Sequence, residues 1–328
     1  MYFSLDSDRQ KQMYRLYALD KTNAAAAFSQ IENGMLLDLA HDAMKNGSVM
    51  RAVYEQPALA RQDGLWMLNN KRWGRIGGIN GHGYNLTIGK DFLFDEHGYY
   101  GLLFDYGSNT VSGAAGSGEY DSYSLGLYAG NKNKPGSITG FVSYGLQANK
   151  GTAYLPVLGQ TAESGYDSKT LGIGVEYAYD LDYGKPEELW HVSPYARLNF
   201  THYRQKAFRE HGAGVFDRSF GSYSDNYAEG ELGLSFDRSE GTGGYGIRLG
   251  YKRILAGERQ LMEVCFAEDE CGALLPVRSW GEGRNHFVAA AYVRHDFSRK
   301  WSAGGSLSGD WSNGGREIGA RLDLAYHF

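Results

Sequence analysis

The sequence predicts an all-β membrane protein: a twelve-stranded antiparallel transmembrane β-barrel preceded by one α-helix. Three observations carry this. From about residue 64 onward, strand-like runs follow one another, many with a two-residue period that separates an apolar face from a polar one. The runs are 12 or more residues long, whereas strands of soluble sheets are nearer 5–6 residues and tilted membrane strands are longer. No stretch approaches 18 consecutive apolar residues, and the mean hydropathy of −0.46 would suit a soluble chain. A barrel is the membrane class that hides in this way, because its alternating strands average out.

Composition narrows the function. The chain has 328 residues and a net charge of −5, so no nucleic-acid partner is expected. Its 46 glycines are spread without a collagen-like period, and 25 tyrosines stand against 6 prolines. The opening MYFSLDSDRQKQMYRLYALD lacks a basic stretch followed by an apolar one, so any export signal is expected upstream of it.

The first element is a helix over residues 22–47. AAAAFSQIENGMLLDLAHDAMK is rich in helix formers and free of proline, and Phe28, Ile31, Met35, Leu39 and Ala43 recur at steps of three and four. Thr22 or Asn23 is placed to cap its start and Gly47 to end it, with Gly34 an interior flaw. Such a helix would be roughly 36 Å long. Residues 48–63 read as a connector and residues 64–328 as the barrel.

Twelve strand cores follow, at about 64–77, 83–94, 98–112, 119–131, 136–149, 166–181, 190–206, 223–238, 244–256, 285–298, 301–312 and 315–328. Leu171, Ile173, Val175, Tyr177 and Tyr179, for example, oppose Gly172, Gly174, Glu176, Ala178 and Asp180. Short connections such as DEHG, NKNKPG and SRK contrast with longer segments at 149–166, 206–223 and 256–284, expected as loops at the other end. An even strand count closes the sheet and leaves no edge. In the last run, Ile318, Ala320, Leu322, Leu324, Tyr326 and Phe328 are assigned to lipid, and the residues between them to the lumen.

Alternation aims Glu176, Asp180, Arg197, Glu229, Glu231, Arg248, Lys252, Arg294, Asp310, Glu317, Arg321 and Asp323 into the lumen. Gly126, Gly130, Gly172, Gly174, Gly233 and Gly250 share that face and leave space for a helix about 10 Å across. Ser29, Gln30, Glu32, Asp38, His41, Asp42 and Lys45 are the helix residues suited to pair with such a wall. Tyr99, Tyr100, Tyr251, Phe297, Trp301 and Trp311 are assigned to the interfacial girdle or lipid face.

A helix, twelve strands and the ending LDLAYHF together resemble the translocator domain of bacterial autotransporters (type V secretion). The resemblance covers nearly all of residues 22–328. It implies a helix plugging the pore and a location in the outer membrane of a Gram-negative bacterium. It also implies an upstream passenger in cis, displayed or secreted through the barrel, with residues 1–21 as passenger remnant or linker. Leu324, Tyr326 and Phe328 match the terminal signal that the barrel-assembly machinery reads in that family, and periplasmic chaperones are implied as partners besides outer-membrane lipid. The rivals are a stand-alone channel with an N-terminal plug and an outer-membrane barrel hydrolase.

The candidate chemistry is sparse, and no catalytic residue, cofactor or metal ligand is assigned. Some members of the resembled family cut their own linker by cyclisation of an asparagine in the helix. Asn33 and Asn46, each followed by glycine, are the candidates here, although Asn46–Gly47 serves equally as a helix stop. Cys265 and Cys271 frame CFAEDEC in the longest loop and suit a disulfide in an oxidising compartment. GTGGYG at 241–246 has dinucleotide-motif spacing without a following helix, and no G-x-S-x-G occurs. His295 and Asp296 are adjacent on a strand, so they face opposite sides and form no dyad.

Overall fold

A computed structural model describes residues 34–46, 49–54, 63–156, 159–186, 189–268 and 274–328. Two helices come first, α1 (Met35–Asn46) and α2 (Met50–Tyr54). The barrel strands are β1 (Gly64–Ile76), β2 (Ile79–Leu93), β3 (Gly98–Gly113), β4 (Gly116–Asn131), β5 (Gly136–Leu155), β6 (Gln160–Tyr179), β7 (His191–Gln205), β10 (Tyr223–Glu240), β11 (Gly243–Ala256), β14 (Asn285–Asp296), β15 (Trp301–Ser312) and β16 (Gly315–His327). Each pairs antiparallel with its neighbour, and β1 closes on β16 from Gly64–His327 to Ile76–Gly315. Among the described residues no helix is long and apolar enough to cross a membrane; the chain crosses with strands.

Two of the segments expected to be loops fold into a second sheet. β8 (Phe208–Arg209), β9 (Arg218–Phe220), β12 (Leu261–Phe266) and β13 (Leu274–Arg278) pair in the order β13-β12-β9-β8. Stretches of two to six residues are too short to show a period, and packing holds them instead. Phe208 stacks between Tyr166 and Phe220, at ring-centroid distances of 4.1 and 4.6 Å. The third segment, 149–166, is no loop: β5 and β6 pair as far as Leu155–Gln160, making a tall hairpin. This sheet and hairpin stand at one end of the barrel and mark it as the outer end, since long connections lie outside and shorter turns face the periplasm.

The segment read as a connector contains α2. The described part of the expected helix starts beside Gly34, whose carbonyl accepts the Leu37 and Asp38 amides at 2.8 and 3.0 Å. Gly34 therefore opens α1 instead of interrupting it. The expected caps Thr22 and Asn23, and Gly47 at the other end, lie outside the described residues.

Every described residue of α1 is buried, because the helix runs inside the barrel. Its outer end touches the second sheet: Leu36 and Leu37 share a core with Phe220, Met262, Val264 and Val277. Farther in, Met35, Leu39, Ala40, Ala43 and Met44 pack on Ile79, Val111, Tyr120, Tyr203, Tyr227 and Ile254. α2 rests on Trp66, Leu68, Tyr99, Leu103, Tyr128 and Phe141. The lumen is thus polar only in part, and Tyr99, assigned from sequence to the girdle or lipid face, belongs to its wall. Its neighbour Tyr100 faces out, and adjacent strand residues take opposite sides.

Gly34 also shows how closely the second sheet approaches the helix. A Cβ there would lie 1.7 Å from the Arg278 carbonyl oxygen, and backbone cannot step aside as a flexible side chain can. Gly34→Ala is expected to destabilise the seated helix by about 1–3 kcal/mol, read as a lower melting midpoint of the folded barrel. An unchanged midpoint would contradict this packing.

Candidate functional site: a helix held in the barrel lumen

The lumen holds α1 through two buried ionic clusters. In the first, Asp42 receives Arg72 of β1 in a forked pair, Nη1 to Oδ1 at 3.0 Å and Nη2 to Oδ2 at 2.5 Å. Tyr120 of β4 donates to the same carboxylate at 2.9 Å, and Asn46 donates one helical turn back at 3.0 Å. Arg72 also donates to Asn109 at 2.7 Å and lies 3.5 Å from Glu317. Bidentate geometry of this kind is directional as well as strong. It sets the rotation of the helix against the wall.

In the second cluster, Lys45 donates to Glu282 at 2.6 Å and lies 3.8 Å from Asp310. Lys252 of β11 donates to Asp310 at 2.5 Å and stands 3.6 Å from Glu229. His286 holds the other oxygen of Asp310 at 2.6 Å, and Tyr227 donates to Glu282 at 3.0 Å. Glu282 comes from the segment after β13, so the second sheet and the helix share one charge network. Burial alone would push Glu282 up, but Lys45 and His41 outweigh it and hold the carboxyl well below the usual carboxylate range. A third tie joins the same segment to the helix start, where the Trp280 amide donates to Asp38 at 2.7 Å.

Below the helix the wall charges satisfy one another. Glu176 takes Arg197 at 2.7 Å and Arg248 at 3.1 Å, and Tyr195 donates to Glu231 at 2.6 Å. The Arg197 guanidinium stacks on the Tyr54 ring of α2 at 4.7 Å. A cavity of about 80 Å³, lined by Arg197, Glu229, Glu231, Arg248 and Lys252 together with Val288 and Ala290, remains beside this network, room for a few waters.

A closed twelve-stranded barrel with a polar helix pinned in its lumen is a transport architecture, and the comparisons identify it. The family model described as Autotransporter beta-domain matches residues 65–308. The chain belongs to the autotransporter beta-domain family. It is therefore an outer-membrane translocator domain of a Gram-negative bacterium, a transport unit and not an enzyme, and membership implies a passenger upstream in cis. Three solved structures share the fold. The translocator domain of autotransporter NalP from Neisseria meningitidis is 18% identical, with a TM-score of 0.72 over 88% of this chain and 97% of that one. The beta domain of the Bordetella autotransporter BrkA is 15% identical, with a TM-score of 0.62 over 81% and 100%. The transport unit of AIDA-I from Escherichia coli is 11% identical, with a TM-score of 0.60 over 90% and 99%. No curated protein matches the chain.

In this translocator the lumen residues expected from alternation take these places. Glu176, Arg197, Glu229, Glu231, Arg248, Lys252, Asp310 and Glu317 form the networks above. Arg294 pairs with Asp296 at 2.8 Å, Arg321 lies 3.7 Å from Asp323, and Asp180 stands 4.0 Å from His191, all toward the periplasmic mouth. His295 faces outward against Phe297. On the helix, Asp38, His41, Asp42 and Lys45 meet partners, while Ser29, Gln30 and Glu32 lie outside the described residues. So does Asn33; the Asn46 amide is engaged with Asp42. Cys265 is disulfide-bonded, and Cys271, the one other cysteine of the sequence, is outside the described residues. Leu324 and Tyr326 lie on the outward face of β16 and Phe328 follows its end, with Tyr326 against Trp301 at 4.9 Å and Phe328 under Lys90 at 4.6 Å.

Alternation does not mark out Arg72, Asn109, Tyr120 or Glu282. β1 carries polar residues on both faces, with Asn69 and Lys71 outside and Asn70 and Arg72 inside, so alternation alone could not choose between Lys71 and Arg72. Glu282 lies in an irregular segment with no period to read.

Two outcomes follow. Arg72→Ala leaves Asp42 buried without its cation, at a cost of about 3–5 kcal/mol, and is expected to unseat the helix and raise the ionic current through the bilayer-inserted barrel. Unchanged current would count against the lock. Because the Glu282 carboxyl is depressed, its contribution is complete above the ordinary carboxylate range and is lost only as pH falls through the depressed value. The Glu282 carboxylate should therefore keep its hold on Lys45 from pH 8 to about pH 5, so that Glu282→Gln raises protease access to α1 throughout that window.

Proposed function

We propose that the domain delivers its passenger to the cell surface and then keeps α1 as the stopper of the emptied pore. The observation that supports this most is the direction of α1. Its first residues lie at the outer end under the second sheet, and its last lead through α2 toward the periplasmic start of β1. The N-terminal end of α1 thereby opens toward the outside. We assign barrel insertion to the barrel-assembly machinery, with periplasmic chaperones delivering the chain. Tyr326 and Leu324 on one outward face, with Phe328 just after the strand, suit the role of its recognition signal.

The test attaches an export signal and an epitope-tagged passenger before Met1 and adds protease to intact Gram-negative cells. The tag should be shaved off while the barrel resists. A protected tag on a correctly inserted barrel would overturn this function and favour a stand-alone channel. Separately, Phe328→Ser should lower the amount of folded barrel in the outer membrane several-fold, measured by heat-modifiable migration; undiminished assembly would remove Phe328 from the signal.

A further inference from the structure

The lipid-facing surface carries two arginines in direct register. Arg75 of β1 and Arg316 of β16 are Cα partners at the outer end of the closing seam, and both are exposed. Like charges directly opposite on a sheet destabilise it. Among the described residues, no carboxylate pairs with either arginine or with Lys71, which lies two pleat repeats farther in with its Nζ 5.3 Å from the Trp73 ring. Arg75 spends its Nε on the Gly77 carbonyl, and its guanidinium is otherwise free for an anion. Elsewhere on the outward face, Lys150 pairs with Glu119 at 3.2 Å and Lys206 with Asp167 at 3.6 Å. The other opposed like pair, Lys169 and Arg204, has Asp167 beside it on the same face.

The row has a defined height. Arg316 stands twelve residues above Phe328 on β16, roughly 30 Å for a strand tilted by about 40°. That places it just beyond an apolar band about 25 Å tall. Trp311 is the Cα partner of Arg316 on the other side, and Trp73 lies one step inward from Arg75. Below the arginines, Ile318, Leu322 and Leu307 are exposed and apolar. Basic groups thus sit over an apolar lane, as a phosphorylated and acylated ligand requires.

We propose that Arg75 and Arg316 seat a phosphate of the acylated glycolipid that forms the outer leaflet of a Gram-negative outer membrane. Its acyl chains lie along Ile318, Leu322 and Leu307. The bound phosphate relieves the repulsion at the β1–β16 seam, so the lipid acts as a clasp on barrel closure. A basic side chain near an anionic lipid surface contributes through charge and through the guanidinium fork.

The test uses the chain Met1–Phe328 folded in detergent micelles, with bisphosphorylated lipid A and the same lipid stripped of phosphate as probes, read by native mass spectrometry. The phosphorylated lipid should bind roughly tenfold or more tightly than the stripped one. The doubly substituted Arg75→Gln, Arg316→Gln chain should lose most of that difference. A Glu119→Gln, Lys150→Gln chain should keep it, and excess inorganic phosphate should not displace the lipid. Equal binding of the two lipids, which needs no variant, overturns the proposal. So does a folded arginine variant that binds like the wild type. Displacement by inorganic phosphate would make this a free-anion site and overturn the lipid assignment.

Discussion

Closure of β1 on β16 is the constraint on which the rest depends. Hydrocarbon offers nothing to hydrogen-bond a free strand edge, so a sheet in lipid must meet itself. Here the seam runs the full length of both strands, from Gly64–His327 to Ile76–Gly315. A sheet of twelve strands closed in this way has an interior wide enough for one helix. It also divides each strand into an apolar outer row and an inner row free to be polar. Arg72, Asp310, Glu317 and Lys252 can be buried only because that inner row exists, and they can stay charged only because each finds a partner there.

The helix answers the charge of the wall, and the wall orients the helix. Removing water from Asp42 or Lys45 would cost several kcal/mol per ion without compensation, so these side chains are stable in the lumen at the one rotation and depth that meets Arg72, Glu282 and Asp310. Apolar burial of Leu39, Ala43 and Met44 is non-directional and does not by itself fix a register. The ionic clusters remove that freedom. The segment after β13 adds a second restraint from outside, through Glu282 and the Trp280 amide. Seal, helix and wall therefore form one network and not three separate parts.

Much of this was legible in the sequence because a two-residue period is strict. The twelve barrel strands lie close to their expected bounds, and Glu229, Glu231, Lys252 and Asp310 point where alternation sends them. What stayed hidden has local causes. β8 and β9 are two and three residues long and exist through the Tyr166–Phe208–Phe220 stack, a contact between distant segments. Gly34 looked like a helix defect because its need, a close pass by the Arg278 carbonyl, is tertiary. Arg72 competed with Lys71 on a strand polar on both faces. Tyr99 and Tyr100 are identical side chains on opposite faces, so composition could not say which one meets lipid.

The central claim is that α1 sits in the pore of the assembled barrel, in this register, while the passenger is outside. The most direct measurement places cysteines at Leu39 and Gly118, where Leu39 Cδ2 lies 3.1 Å from the Cβ position of Gly118. A short thiol cross-linker is then applied to intact cells that display a passenger. Cross-linking between helix and β4 is expected in the same molecules whose passenger is accessible to antibody, and is expected to be lost when Arg72 is replaced by alanine. Surface display by folded barrels that never cross-link, with cysteines shown to be reactive after unfolding, would contradict it.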